Sequence, residues 1–373
     1  MLMVRSSLAG SGLFAAGISV ALGIVALAPV VGCSATDDGV GFGGSGGSDT
    51  GGEGGEGGLL LGGGGPGGGT STCTDIGCIG AAPQGGCDAS LAMDSADGMD
   101  GARAIGLCAD VATHGWGVTS ARYVRSDGVD MNAPELAIGR GILDNFGTVA
   151  PLEGANMLVL SSGAARTPSD PGYESVGGLW KDFNPHGSPP GYPKESPSCP
   201  GIITGSPYDS AGLELVIKTP SDAKSLKFNL DFYTYEFPVY ICSMFNDFFV
   251  ALMTPQPMGS LDGNISFDSQ NNLISVNAGF LQVCSPQSAG GKQFPCPLGP
   301  GELSGTGYDE QQGGSAATGW LETTAPIDTP GAEITLRFAI WDSGDGVLDS
   351  SVLVDNFRFE AQEGSTGTIP VPK

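Results

Sequence analysis

Two acidic constellations have residue types and spacing suited to chemistry. The first is the stretch Trp341-Asp342-Ser343-Gly344-Asp345-Gly346-Val347-Leu348-Asp349-Ser350, which places three aspartates on a glycine-bent loop, with Asp355 following inside an apolar strand pattern. Asp355 shares the parity of Leu353 and Phe357 and so points to the core side, where a lone carboxylate is costly unless paired, hydrogen-bonded or bound to metal. Hard oxygen ligands on a turn suit calcium, which makes Asp342, Asp345, Asp349 and Asp355 the expected ligands of a structural calcium ion. The spacing and distal glutamate of an EF-hand are missing. The plain alternative is a turn in which Asp342 and Asp345 accept backbone N–H bonds and stay solvated, while Asp355 bonds to backbone.

The second constellation is Glu236 and Asp247, which flank Phe237-Pro238-Val239-Tyr240-Ile241-Cys242. At the right separation two such carboxylates do the acid and base work of a glycosidase, although a structural hydrogen-bonding role is the commoner fate of such a pair. Other chemistries lack their parts. Ser161-Ser162 offers no nucleophile elbow, and with no C-x-x-C pair and only His114 and His186, a zinc site is not expected. Trp180, Tyr192, Tyr208, Tyr233, Tyr235 and Trp320 would stack on sugar rings if they lined one sheet face, but such residues more often plug cores and loops.

The elements that must position these groups are mostly short strands. Leu226, Phe228, Leu230 and Phe232 alternate with polar residues, as do Ile334, Leu336, Phe338 and Ile340, which is the period of a half-buried strand. Leu213 to Lys218 is apolar and β-branched, Phe245 to Met253 reads as a strand buried on both faces, and Leu353, Phe357 and Phe359 share a parity. One short helix is expected over Asp100 to Cys108, capped by Asp94, Ser95 or Asp97. The expected fold is all-β: a two-sheet antiparallel sandwich of jelly-roll type, with a small Cys-rich N-terminal appendage carrying the helix. The Cys-rich segment is expected over residues 73–130, the sandwich over 131–360 and a disordered tail over 361–373.

Residues 1–32 read as a lipoprotein signal peptide. A single Arg5 precedes an apolar run from Leu13, and Val30-Val31-Gly32 lead into Cys33, the expected lipidation site. Residues 33–72 form the expected tether: Gly39 to Gly69 holds nineteen glycines in 31 residues, too few apolar groups to fold. Loss of Arg5 with the signal leaves 14 basic against 40 acidic residues, or −26 on the mature chain. That balance excludes nucleic acid as a partner, because phosphate neutralisation needs clustered Lys and Arg. Besides Cys33 the chain has Cys73, Cys78, Cys87, Cys108, Cys199, Cys242, Cys284 and Cys296, an even set that in an exported protein implies disulfides. Spacing does not fix the pairing, and chain proximity favours Cys87 with Cys108 and Cys284 with Cys296.

Several of these stretches also resemble a known family. Phe232-Tyr233-Thr234-Tyr235-Glu236-Phe237-Pro238, Cys242, Phe245-Asn246-Asp247-Phe248-Phe249, Asn264-Ile265-Ser266-Phe267-Asp268 and Ser275-Val276-Asn277 are similar to the choice-of-anchor L domain, as is the stretch from Phe338 to Ser350 closing with Val354-Asp355-Asn356-Phe357. Gly101 to Cys108 resembles what precedes that domain in myxobacterial lipoproteins, and the likeness spans most of residues 87 to 360. The resemblance implies an extracellular domain coupled to varied surface anchors, here a lipid on Cys33, with no established catalytic activity. The closing D-S-G-D-G and D-N elements look like those of calcium-containing surface sandwiches. The expected function is a non-enzymatic binding or adhesion module, anchored to the cell envelope at the outer membrane or cell surface. Its expected partners are the membrane, through the lipid, and an extracellular polysaccharide or surface protein. The alternatives are a glycan hydrolase using Glu236 and Asp247, or a structural envelope lipoprotein.

Overall fold

The alternating apolar rows become strands of two facing sheets in the computed structural model, which describes residues 86–182, 184–309 and 314–372. The signal peptide, the tether, Cys33, Cys73 and Cys78 lie outside the described residues. In chain order the strands are β1 (Gly117–Val124), β2 (Arg140–Leu143), β3 (Met157–Ser161), β4 (Pro207–Lys218), β5 (Ser225–Thr234), β6 (Phe248–Thr254) and β7 (Ile274–Ser275). They continue with β8 (Gln287–Ala289), β9 (Lys292–Phe294), β10 (Ala316–Ala317), β11 (Leu321–Pro326), β12 (Glu333–Ser343), β13 (Ser350–Glu360) and β14 (Gly367–Pro370). One sheet runs β1-β4-β12-β6-β7 and the other β14-β11-β5-β13-β3-β2, with β10 beside β5 and a separate β8–β9 hairpin. The long strands β3 to β6 and β11 to β13 alternate between the sheets, the crossing pattern of an antiparallel jelly roll.

The main core fills the space between the sheets. Leu213, Leu215 and Ile217 of β4, Leu226 to Phe232 in alternation on β5, Phe249 and Ala251 of β6, and Ile334 to Ile340 in alternation on β12 all meet there. Both parities of several strands are nevertheless buried, because loops cover the outer faces. Tyr233 and Leu353 pack with Phe146 and Tyr308 behind the larger sheet, and Phe248, Val250 and Trp341 pack with Tyr192 and Phe267 behind the smaller one.

Three expectations are corrected. The expected boundary at residue 130 is not one, because described residues before it join the sandwich: helix α1 (Gly98–Ala104), capped by Asp97, buries Ala102 in the main core, and β1 pairs with β4 as an edge strand of the smaller sheet. The strand pattern Leu353, Phe357, Phe359 is broken by a bulge between Asp355 and Arg358, where Asn356 adopts φ +53°. The extra residue flips the parity, so Val352 and Val354 share the core with Phe357 and Phe359, while Leu353 faces the other way. The tail expected to be disordered contains β14, in register with β11, with Thr323 and Thr368 Oγ1 atoms 2.7 Å apart. Its Ser-Thr-Gly composition hides a strand because the partner edge supplies the hydrogen bonds.

Candidate functional site

The inward-facing rows of three strands run on into acid. On β6 the row Met253, Ala251, Phe249 continues to Asp247, and on β12 the row Leu336, Phe338, Ile340 continues to Asp342. In the opposite sheet Phe228, Leu230 and Phe232 continue through Thr234 to Glu236. These three carboxylates converge at one pole of the sandwich, with one oxygen from each lying within 4.8 Å of the others. One of the four expected calcium ligands, Asp342, therefore meets the expected acid/base pair in a single group.

All three are sealed, at 0–1 % exposure. Asp247 is hydrogen-bonded: the Ser343 N–H donates to Oδ1 at 3.0 Å and the Ser350 hydroxyl to Oδ2 at 2.6 Å. Neither oxygen of Asp342, nor Oε2 of Glu236, meets a hydrogen-bond donor among the described residues. Burial first, then the charges of its acidic neighbours, beginning with Asp247, push the Asp342 carboxyl well above its ordinary range. Glu236 is raised by burial and by the Asp247 charge, partly offset by the Asp247 N–H, and Asp247 is pushed up to about 7 by burial, partly offset by its bonds from Ser350, from the Ser343 N–H and from the Asp342 carboxyl.

The remaining expected ligands lie elsewhere. Asp349, buried immediately before β13, also lacks a donor for either oxygen among the described residues; the Lys181 charge partly offsets the effect of its burial. Lys181 is itself buried and donates to the carbonyls of Ser161 at 2.9 Å and Gly163 at 3.0 Å. A Cβ on Gly163 would meet Asp349 Oδ2 at 2.0 Å, so only glycine lets the chain after β3 close over that carboxylate. Asp345 is half-buried and accepts the Val347 N–H at 3.1 Å, as in the plain turn reading. Asp355 is not part of the group. It accepts N–H bonds from Leu152 at 2.5 Å, Glu153 at 3.1 Å and Asn356 at 2.6 Å, which fill three of its about four acceptor positions and satisfy both oxygens.

Disulfides hold the surrounding connections. Cys87–Cys108 and Cys284–Cys296 are both bridged, as chain proximity favours, and Cys199–Cys242 is a third bond. The third bond fixes the connection from β5 to β6 that carries Glu236, and the Cys242 N–H donates to Asn277 Oδ1 at 2.6 Å.

The arrangement does not suit glycan cleavage. Glu236 and Asp247 are in the interior, and an open depression of about 570 Å³ lined by Lys224, Met258, Pro326, Ile327, Glu363 and Thr366 contains neither. The aromatics are spread over different layers: Tyr233 is core and donates to Asp231 at 3.1 Å, Tyr192 packs edge-on to Trp341 behind the smaller sheet, Tyr235 and Trp320 pack against the cluster behind the larger one, and Trp180 lies exposed against Gly346. Lys181 and the gathering of strand ends could not be read from sequence spacing, although an acid at the end of each inward row was a signal for the latter.

No family model matches the chain, and no curated protein matches it. Among solved structures it is similar to a carbohydrate-binding module described as specific for non-crystalline cellulose, at 14% identity, covering 75% of this chain and 97% of that one. The TM-score is 0.23, at which the likeness carries no argument about this chain.

Proposed function

We propose that this protein is an exported, lipid-anchored β-sandwich that binds a polysaccharide or surface protein outside the cell and does no chemistry on it. The observation that carries the non-catalytic reading is the burial of Glu236 and Asp247, since a glycosidase pair must flank a sugar ring and reach solvent. Three disulfides support an oxidising compartment, where such bonds persist. The lipobox ending at Cys33 and the resemblance to choice-of-anchor L domains support attachment through lipid. The acidic balance supports solubility in that setting and argues against nucleic acid.

The test combines retardation on soluble polysaccharides and isolated envelope with a reducing-sugar assay of the same samples. Binding without sugar release is expected, and Cys33→Ser should move the protein from the membrane to the soluble fraction. Sugar release that disappears in Glu236→Gln while the fold survives would overturn the reading in favour of a hydrolase. Retention by none of the polysaccharides or envelope fractions would overturn the binding role in favour of a purely structural one.

A further inference from the structure

Buried carboxylates persist in a folded protein only where a donor, a counter-charge or a metal compensates them. At the pole of this sandwich, donors serve both oxygens of Asp247 and the Asp247 N–H serves Glu236, but Asp342 and Glu236 Oε2 receive none among the described residues. Asp342 and Glu236 turn oxygens toward one another's charge, and no Lys, Arg or His forms an ion pair with any of the three among the described residues. We propose that Glu236, Asp247 and Asp342 are the carboxylate ligands of a buried divalent-cation site of the calcium class, formed where strand ends of both sheets meet.

The geometry fits that ion. Oxygens that face each other across a calcium ion at about 2.4 Å are about 4.8 Å apart, and the three carboxylates fall within that limit. The donors are all hard oxygens, which excludes a thiolate or imidazole metal. The six described half-cystines are in disulfides, and His186 is committed to Ser210 at 2.7 Å and Asp182 at 3.1 Å. Full burial favours calcium over magnesium, because magnesium gives up its water shell reluctantly. Three negative charges against a double positive charge leave one in excess, and Lys181 supplies a buried positive charge near Asp342 and Asp349.

The site differs from the loop motif that the sequence suggests. Asp345 holds its own turn, both oxygens of Asp355 are satisfied by backbone N–H groups, and Asp349 lies beside the centre against Gly163. The ion would join β5, β6 and β12 through side chains far apart in sequence, so it would lock the two sheets together at one end.

The experiment uses the oxidised protein stripped with chelator and dialysed. Calcium content by mass spectrometry, thermal unfolding with and without calcium, and terbium luminescence excited through the neighbouring Trp341 are measured on the wild type and on Asp342→Asn. The expected result is one calcium per chain, a rise in midpoint of several degrees with calcium, and terbium emission that calcium quenches and equimolar magnesium does not. Asp342→Asn should lose all three signals. Wild type that takes up no ion and melts at the same temperature in both buffers would overturn the proposal, leaving the group held by protons. A calcium shift that survives intact in Asp342→Asn would also overturn it, because the ion would then sit elsewhere. Should the variant fail to fold, the wild-type stoichiometry and midpoint still decide.

Discussion

Asp247 and Asp342 meet just past the end of a paired register: β6 and β12 are in antiparallel register up to Phe248 against Trp341, and the aspartate next to each of these residues comes within hydrogen-bonding reach of the other. Like charges placed directly opposite in a sheet destabilise it, and burial magnifies the effect. The same register that packs Phe249 against Phe338, with rings stacked 6.4 Å apart, therefore builds an electrostatic conflict at its end. The conflict has to be resolved by a positive charge, either a proton shared between the two carboxyls or the proposed cation.

A reversal of sign follows for Asp342→Asn. In chelator the variant removes one of two facing charges and should unfold at a higher urea concentration than wild type, by the equivalent of about 1 kcal/mol. With calcium at about 100 times its dissociation constant the wild type gains about 2.7 kcal/mol that the variant forgoes, and the order inverts. Urea midpoints in the two buffers check this. The same ranking in both would mean that the two aspartates do not share a cation.

The pH dependence of the outer face rests on Glu214, which lies between Arg122 and Arg337 on three adjacent strands. Arg122 Nε donates to it at 3.0 Å and Arg337 Nε at 2.8 Å. Burial alone would raise this carboxyl, but the bonds from Arg337 and Arg122 outweigh it and hold the group below its ordinary 4.5. A lowered carboxylate contributes stability above its unfolded value and loses it as pH falls through the folded one. Glu214→Gln should therefore cost about 2 kcal/mol at pH 7, where two guanidinium groups are left without their shared anion. The deficit should shrink below about pH 4. Chemical denaturation of both proteins from pH 3 to 8 tests it, and a deficit independent of pH would mean a packing effect.

The strands were legible because their alternation is strict. Leu226 to Phe232 and Ile334 to Ile340 each present one apolar row, and both rows lie in the core. Reading failed where a single residue resets the phase: nothing in Asp355-Asn356-Phe357 announces that Asn356 adopts a left-handed conformation and turns the last strand over. The candidate site was half legible. Its acids stood out as breaks in apolar rows, but Glu236 and Asp342 come from different sheets and meet only through tertiary pairing, which spacing does not encode. Asp355 was misplaced for a non-local reason, since its partners Leu152 and Glu153 lie about two hundred residues away.

The Cys199–Cys242 bond should matter more than its neighbour at Cys284–Cys296. It closes a loop of 43 residues against 12, and the chain-entropy relation gives about 4 kcal/mol for the longer loop and about 3 kcal/mol for the shorter. Cys199→Ser with Cys242→Ser should lower the unfolding free energy by up to that amount and weaken calcium binding, because the loop that ends at Cys242 carries Glu236. The corresponding double variant at Cys284 and Cys296 should lose stability with little change in affinity. Equal loss of affinity in both would separate the disulfide from the site and point to global loosening.

Deletion of residues 364–373 tests whether the last strand is part of the fold. β14 covers the edge of β11, where Thr323 Oγ1 also approaches Ser266 Oγ at 3.1 Å, while the Thr368 N–H donates to the Phe267 carbonyl at 2.8 Å. The Val371 N–H donates to the Trp320 carbonyl at 3.0 Å. Without the strand, the buried Thr323 hydroxyl loses one partner and β11 presents open backbone groups to other chains. At about 1 kcal/mol for each net hydrogen bond, a loss of about 3 kcal/mol is expected, with faster aggregation on warming. A tail without structure would leave both quantities unchanged. Pro370 makes the edge position reasonable: with no N–H to donate, it ends the ladder and discourages a further strand from adding to it.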